Sequence, residues 1–290
     1  MSADAFLADR SERAKLRFSG PQRAWFLHQV LTQSFEDIAP GQARDAAMIT
    51  PHGRMLGYVE AVATADAILC HAESSLRSSL PDAIRRYVFA TQVEIDDVTD
   101  DFGLVLIGGD GWAEATRSLG DRYVVHPTRS LGAPAAYVWV DRASIRELVE
   151  WLERAGLGRA GEAELEAMRI SSGAPRWGFE MNEKTLPQEA GIDEVAVHYD
   201  KGCYLGQEAM AKIHFRGKAN RRLFRVRAEA PLRRGDDVML DGTKVGVLTS
   251  ASNGAGLALL RHTVAPGATV VVGETKATVQ DQVAATGGEP

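Results

Sequence analysis

The arrangement of helix and strand patterns changes near residue 220, and this change constrains the fold more than any other feature. Before it, strand-like and helix-like segments alternate irregularly in two comparable blocks, roughly 15–100 and 101–200. A regular parallel sheet would repeat one strand with one helix, so the irregular order favours an α+β fold. After residue 220, short strand-like segments are joined by Gly-rich turns, which predicts a small closed or half-closed barrel.

Three units account for the length of the chain. The chain has 290 residues, and domains typically hold about 100–200 residues. We predict a first α+β block at 1–100, a second α+β block at 101–218 and a C-terminal β-barrel at 219–290, with the first two blocks interleaved. Two local signals are clear: Ser144 and Glu147 have the spacing of a helix capping box, and Asp241-Gly242 is a hairpin turn dipeptide.

Composition narrows the range of functions. The net charge is −6, so the chain has no overall nucleic-acid signature, and the basic run at 212–222 is interpreted as a solvated loop or a local anion site. The N-terminus lacks a signal-peptide pattern, and no uncharged apolar run approaches the roughly 20 residues of a membrane span. We therefore expect a cytoplasmic protein with reduced thiols and no membrane partner. Its two cysteines lie 133 positions apart without metal-ligand spacing, so no metal site is expected.

The sequence Lys-Gly-Cys-Tyr-Leu-Gly-Gln-Glu at 201–208 is the strongest functional signal. It places Cys203 between glycines, which permit unusual backbone angles, and close to Lys201, whose positive charge would favour the reactive thiolate. Three interpretations remain open on the residues alone: a structural cysteine, a nucleophile with a nearby base, or a redox or transfer thiol.

A second signal is the segment at 173–181, in which glycines bracket an aromatic core and Glu180 follows. A carboxylate can bind a ligand with paired N–H donors, such as a pterin, because its two oxygens accept in parallel. A loop with a surface glutamate is the more common interpretation of such spacing. Nucleotide-binding and Gly-x-Ser-x-Gly motifs do not occur in the sequence.

Residues 201–208, together with His-Phe-Arg-Gly at 214–217, resemble the signature of the YgfZ family of folate-binding proteins. Weaker resemblances cover 20–32, 50–54 and 173–187. Proteins of this family are similar in fold to the glycine-cleavage T-protein and are related to mitochondrial iron–sulfur assembly factors. The resemblance implies a three-domain cloverleaf, with two ferredoxin-like α+β domains and a C-terminal barrel around a central opening.

The resemblance also implies a tetrahydrofolate pocket. Glu180 matches the T-protein glutamate that grips the pterin. The cofactor-binding residues predicted on this basis are Glu180, Trp177, Met181, His71, Tyr204 and Arg216. Two departures stand out: His71-Ala72 stands where the T-protein has an Asn-Ala pair that helps hold folate, and the stretch at 53–58 lacks the carboxylate with which the T-protein acts in aminomethyl transfer, with Glu60 a step further along the strand. A general base must lie within hydrogen-bond reach of its proton, so this departure disfavours aminomethyl transfer.

The function predicted from sequence is that of a folate-binding accessory protein for iron–sulfur cluster assembly or repair. Cys203 and Lys201 are its predicted reactive residues, tetrahydrofolate is its cofactor, and iron–sulfur client or assembly proteins are its partners. Whether it is an enzyme stays open. The alternatives are a tetrahydrofolate-dependent aminomethyltransferase or other one-carbon transferase, and a non-catalytic scaffold.

Overall fold

Two five-stranded sheets and a closed six-stranded barrel make up the protein, as seen in a computed structural model that describes residues 4–217 and 219–283. The helices in these residues are α1 (Arg23–Val30), α2 (Ser79–Arg85), α3 (Trp112–Leu119), α4 (Ile145–Arg154), α5 (Glu162–Ser172), α6 (Pro187–Ala190), α7 (Asp193–Ala196) and α8 (Gln207–Arg216). None of these helices is long and apolar enough to cross a membrane.

The first sheet has the strand order β3-β4-β5-β2-β6. Its strands are β2 (Ala14–Ser19), β3 (Ala43–Ile49), β4 (Met55–Ala63), β5 (Ala67–Ala72) and β6 (Glu94–Asp97). Neighbouring strands are antiparallel, and α1 and α2 cover the outer face with a core that includes Phe18, Phe26 and Leu80.

The second sheet takes its strands from both ends of the α+β region. It has the order β10-β1-β7-β9-β8, where the strands are β1 (Phe6–Asp9), β7 (Phe102–Gly108), β8 (Val124–Thr128), β9 (Ala135–Asp141) and β10 (Gly158–Arg159). β1 pairs antiparallel with β7 and parallel with β10. The chain thus begins in the second sheet, builds the first sheet, and then returns to the second.

The inner faces of the two sheets pack against each other. Their shared core includes Val62 and Leu69 from the first sheet and Leu104, Tyr137 and Trp139 from the second. α3 and α4 cover the outer face of the second sheet, so the two sheets lie between two helical layers. Burial of these alternating apolar faces is the main stabilising term for such a layered arrangement.

The C-terminal strands form a barrel, as predicted. They are β11 (Arg221–Arg227), β12 (Asp237–Leu240), β13 (Thr243–Ser252), β14 (Ala255–Arg261), β15 (Thr269–Val272) and β16 (Thr275–Gln282), and the order β11-β14-β13-β12-β15-β16 closes on itself. Asp241 and Gly242 both have positive φ, 49° and 76°. Two positive φ values match the twist of the flanking strands, which explains the predicted hairpin at this dipeptide.

Two local expectations were wrong. Ser144 makes no side-chain capping bond, because a short helical turn at Arg142–Ser144 leads directly into α4 and leaves Ser144 in a helical conformation instead of the extended one a cap requires. The basic run at 212–222 is not a loop, since α8 covers its first half and β11 begins at Arg221. Lys218, within that run, lies outside the described residues.

Candidate functional site

A cavity of about 380 Å³ lies where the two sheets, α5 and the segment after α5 meet. β4 contributes Tyr58 and Glu60, and β9 contributes Tyr137. The segment after α5 contributes Arg176 and Trp177. Ligand pockets typically measure about 300–1,000 Å³ and combine apolar walls with a few polar groups, so this cavity has the size and composition of a small-molecule site.

Glu60 is the buried carboxylate of the cavity wall. It lies two residues after Tyr58 on β4, and residues i and i+2 of a strand point to the same face. Its Oε2 accepts a hydrogen bond from Thr128 Oγ1, while its Oε1 lies 3.6 Å from the guanidinium of Arg13. In the sequence, Glu60 lies beyond the position of the T-protein carboxylate, yet in the structure its carboxyl group reaches the cavity.

Burial and neighbouring charge shift the pKa of two carboxyl groups here. Desolvation and the negative charge of Asp45 raise the pKa of Glu60 to about 7, against the opposing effect of Arg13. Desolvation also raises the pKa of Asp45 to about 6, opposed by a hydrogen bond with Tyr58. A carboxyl group that titrates near neutrality can both accept and donate a proton, which is the requirement for acid–base chemistry.

His71 lies behind this wall in a buried chain of hydrogen bonds. Arg13 Nε donates to His71 Nδ1 over 2.9 Å, and His71 Nε2 lies 3.2 Å from His126 Nε2. Because Nδ1 of His71 accepts, its Nε2 carries the proton and donates to His126. Burial lowers the pKa of both imidazoles, so they are neutral.

This proton arrangement does not suit a metal ion, although the ligand atoms of Glu60, His71 and His126 lie within 4.8 Å of one another. A metal-bound imidazole needs a free lone pair on the ligating nitrogen and normally donates from the other one. In His71 the second nitrogen accepts from Arg13, so neither nitrogen is free for a metal. The cationic Arg13 adds repulsion. His71 was predicted to contact the cofactor, but here it supports the cavity wall from behind.

Glu180, the predicted pterin-binding carboxylate, is 1% exposed and fully engaged with protein. Its Oε2 accepts from Arg169 Nη1 and from the backbone N–H of Arg176, both over 3.0 Å, and its Oε1 accepts from Ser250 Oγ in the barrel. The carboxylate therefore joins α5, the following segment and the barrel. A direct contact with a ligand stays a prediction that would require these bonds to rearrange.

Trp177 and Met181 follow the prediction more closely, since both line the cavity. Trp177 is half-buried and Met181 is 1% exposed. Gly178 has φ +86° and carries the tight turn between them, and its N–H donates to the carbonyl of Met181 over 2.7 Å. The turn thus aims an aromatic ring and a thioether at the same space.

The cysteine loop presents its thiol between two buried anchors. Lys201 and Tyr204 are buried, at 6% and 7% exposure, whereas Gly202 and Cys203 are exposed. The Lys201 Nζ lies 4.5 Å from the centre of the Tyr204 ring. Gly206, with φ +80°, is the residue directly before α8. Burial of the flanking residues fixes the loop and leaves the thiol free to react with another molecule.

Lys201 has three backbone acceptors. Its Nζ donates to the carbonyls of His28, Leu31 and Gln33 at the end of α1, the last over 2.9 Å. Burial lowers the pKa of Lys201 to about 7, whereas the three acceptors favour the ammonium form, which alone has three N–H donors. The side chain is thus a structural tie between α1 and the cysteine loop, and an effect of its charge on Cys203 stays a prediction.

The residues predicted from sequence to form the site therefore occupy different places in the structure. Trp177 and Met181 reach the cavity, Cys203 is exposed as its role requires, and Tyr204 anchors the cysteine loop. Arg216 ends α8, and its side chain lies outside the described part of the molecule. Glu60 was not among the site residues predicted from the sequence. Its spacing from Tyr58 on a predicted strand was the signal that could have identified it.

Comparison with known proteins identifies relatives that are similar in sequence or in fold. Residues 220–285 match the family described as CAF17, C-terminal beta-barrel domain. The glycine cleavage system aminomethyltransferase T of Bartonella henselae superposes with a TM-score of 0.87 over 97% of this chain and 86% of that chain, at 17% sequence identity. The predicted T-protein-like fold is confirmed.

Sequence relatives include a chloroplastic protein of Arabidopsis thaliana named as a candidate transferase, 29% identical over 92% of this chain and 68% of its own. The tRNA-modifying protein YgfZ of Colwellia psychrerythraea is 24% identical over 81% of this chain and 76% of its own. The mitochondrial iron–sulfur cluster assembly factor IBA57 homolog of Phaeosphaeria nodorum is 24% identical over 77% of this chain and 56% of its own. The resemblance to YgfZ and to iron–sulfur assembly factors is thus confirmed.

Proposed function

We propose that this protein binds a reduced folate in the central cavity and assists the assembly or repair of iron–sulfur clusters in other proteins, with Cys203 as its reactive thiol. The observation that carries the proposal is the cavity itself. Its size suits a folate, and the segment that resembles folate-binding relatives forms one of its walls through Trp177 and Met181. The similarity to an iron–sulfur cluster assembly factor supports the same role.

The donor set of the cavity fits the chemistry of a folate. Trp177, Tyr58 and Met181 offer aromatic and apolar surface to a flat ring system, and Glu60 offers a carboxylate to its N–H groups. A bound folate would supply one-carbon chemistry at this place. The protein's own contribution would be to orient the ring and to hold or release a proton at Glu60.

Calorimetry with tetrahydrofolate on the full chain tests the binding step. We expect the unaltered protein to bind and Trp177→Ala to weaken binding about fivefold or more, since ring contacts of this kind are worth about 1 kcal/mol or more. Trp25→Ala is the matched control, because Trp25 is 47% exposed on α1 and outside the cavity. A flat titration of the unaltered protein would contradict folate binding and would favour the non-catalytic scaffold.

The role of the thiol is tested in cells. Cys203→Ser should reduce the activity of four-iron enzymes at normal protein levels, because the exposed thiol is the group that can reach a client. Cys70→Ala is the matched control, since Cys70 is buried at 2% exposure and its pKa is raised by burial. Unchanged enzyme activity with Cys203→Ser would sink the thiol role.

A second candidate function is one-carbon transfer between an amine and tetrahydrofolate. The observation that favours it is Glu60, a carboxyl group on the cavity wall that titrates near neutrality. Purified protein would then release ammonia from an aminomethyl donor only when tetrahydrofolate is present, and Glu60→Gln would abolish the release. No ammonia release from the unaltered protein, under conditions where it binds folate, removes this candidate.

The finer assignments belong to the same proposal. We place the protein in the cytosol, with iron–sulfur client or assembly proteins as its macromolecular partners. Co-purification from cells should recover such proteins with the unaltered chain and lose them with Cys203→Ser if the exposed loop is the contact.

A further inference from the structure

The cavity contains a carboxylate better placed for ligand recognition than the one the sequence motif indicates. We propose that Glu60, and not Glu180, receives the paired N–H donors of the bound ring, and that Asp45 tunes the charge of Glu60 as the second member of a carboxylate pair. This inference rests on the proposed folate function and adds the specificity-determining group of its site.

Strand register places the two carboxyl groups together. Asp45 of β3 stands directly opposite Glu60 of β4 in the antiparallel ladder. Side chains at directly opposed positions have Cβ atoms about 4.5–5.5 Å apart. Tyr58, two residues before Glu60 on the same face, makes a side-chain hydrogen bond with Asp45. Tyr58 and Glu60 line the cavity, and Asp45 stands beside them on the same face of the sheet.

The acceptor capacity of the two glutamates differs. Glu180 has three protein donors across its two oxygens and lies away from the cavity lining. Within the described residues, the hydrogen bond to the Glu60 carboxylate comes from Thr128 to Oε2, and Oε1 lies 3.6 Å from Arg13, beyond hydrogen-bond length. A carboxylate offers about four acceptor positions, so Glu60 retains capacity for two ligand N–H groups.

The charge of Glu60 is balanced between opposing neighbours. Arg13 favours the carboxylate, whereas burial, Asp45 and Glu73 favour the protonated acid. The polar and titratable groups around Glu60, from the strands and turns packed against it, are Asp45, Tyr58, His71, Glu73, Arg13, His126, Thr128, Arg129 and Tyr137. Ligand N–H donors bind the charged form, so binding should tighten as pH rises through the midpoint of Glu60.

Calorimetry with tetrahydrofolate between pH 5.5 and 8.5 tests the inference on four proteins. The unaltered chain should bind more tightly as pH rises and then level off. Glu60→Gln should bind at least about tenfold more weakly, as expected for loss of a charge-assisted bidentate contact, and without this pH dependence. Asp45→Asn should retain binding but move the midpoint to lower pH, because it removes the like charge. Asp96→Asn, an exposed pair with Arg17, should follow the unaltered chain.

The outcomes separate this inference from the folate proposal. If the unaltered chain binds but Glu60→Gln has the same affinity and pH profile, recognition by Glu60 is overturned while folate binding stands. If Asp45→Asn leaves the midpoint in place, the carboxylate pair is overturned. If the unaltered chain does not bind, folate recognition falls with the proposed function. Carbon-13 NMR titration of the Glu60 carboxyl group then tests the pair alone, since Asp45→Asn must still lower its midpoint.

Discussion

Removal of the Lys201 ammonium should destabilise the protein far more than removal of an ordinary surface charge. Lys201→Met keeps most of the length of the side chain and removes three N–H donors from the carbonyls of His28, Leu31 and Gln33. A buried acceptor left without a partner costs about 1–3 kcal/mol. Because Gln33 is partly accessible and water can replace one bond, we expect a total loss of about 3–5 kcal/mol in the free energy of unfolding.

The assay is urea unfolding followed by fluorescence, with Lys212→Met as the control. Lys212 is exposed on α8, and exposed substitutions usually change stability by less than about 0.5 kcal/mol. Hydrogen exchange adds a local measurement, since the His198 N–H donates to the Thr32 carbonyl beside the same tie and should lose protection. A loss below about 1 kcal/mol for Lys201→Met would refute the view of Lys201 as a structural tie.

The same variant tests the effect of Lys201 on the thiol. Its three donors are occupied by carbonyls, so none is left to hydrogen-bond the thiol, and the rate of Cys203 alkylation by iodoacetamide at neutral pH should stay unchanged in folded Lys201→Met. A slower alkylation in the variant would instead show that the ammonium promotes the reactivity of the thiol, as predicted from the sequence.

Three further changes have defined outcomes. The folded-state pKa of Glu60 is raised above its ordinary value of 4.5, so this group makes the wild-type protein less stable as pH rises towards 7. Glu60→Gln lacks this titration, so the stability of the variant relative to wild type should increase by about 1–3 kcal/mol between pH 5 and pH 8. A relative stability that does not change with pH would contradict this. Gly206→Ala should cost about 2 kcal/mol or more in thermal unfolding, because φ is +80° and its Cβ would lie 2.5 Å from a backbone oxygen, whereas Gly202→Ala, with open space around it, should be neutral. Arg169→Met should cost about 3–5 kcal/mol by leaving Glu180 buried without its cation, and a chemical-denaturation loss under about 1 kcal/mol would count against the pairing.

Much of the fold was predictable because the burial of one face of a strand or helix requires a local pattern of apolar residues in the sequence. The barrel was expected from its short strand-like segments and Gly-rich turns, and the hairpin from Asp241-Gly242. β14 was not expected, since its Ala, Gly and Leu content lacks the β-branched residues typical of strands. The four-residue helices α6 and α7 are too short to show a period and are held by tertiary packing on the first sheet.

The site was less predictable, because the partners of its charged groups are distant in sequence. Glu180 is held by Ser250, 70 positions further along the chain, and Glu60 by Thr128, 68 positions further. Trp177 and Met181 could be placed because a Gly-rich turn between them orients both locally. A carboxylate has the same appearance in a sequence whether it faces an arginine or an empty cavity, and only the packing of strands decides which.

The position of β1 in the second sheet has a consequence for synthesis on the ribosome. β1 (Phe6–Asp9) is made first, but its partners are β7 (Phe102–Gly108) and β10 (Gly158–Arg159), so about the first half of the chain must emerge before β1 can pair on both sides. At about 5–20 residues per second, the roughly 150 residues between β1 and β10 take about 8–30 seconds to synthesise, and β1 has an unpaired edge during that time. The nascent chain therefore needs protection from premature pairing during that interval, and the second sheet is completed only when β10, the last of its strands to be made, pairs with β1.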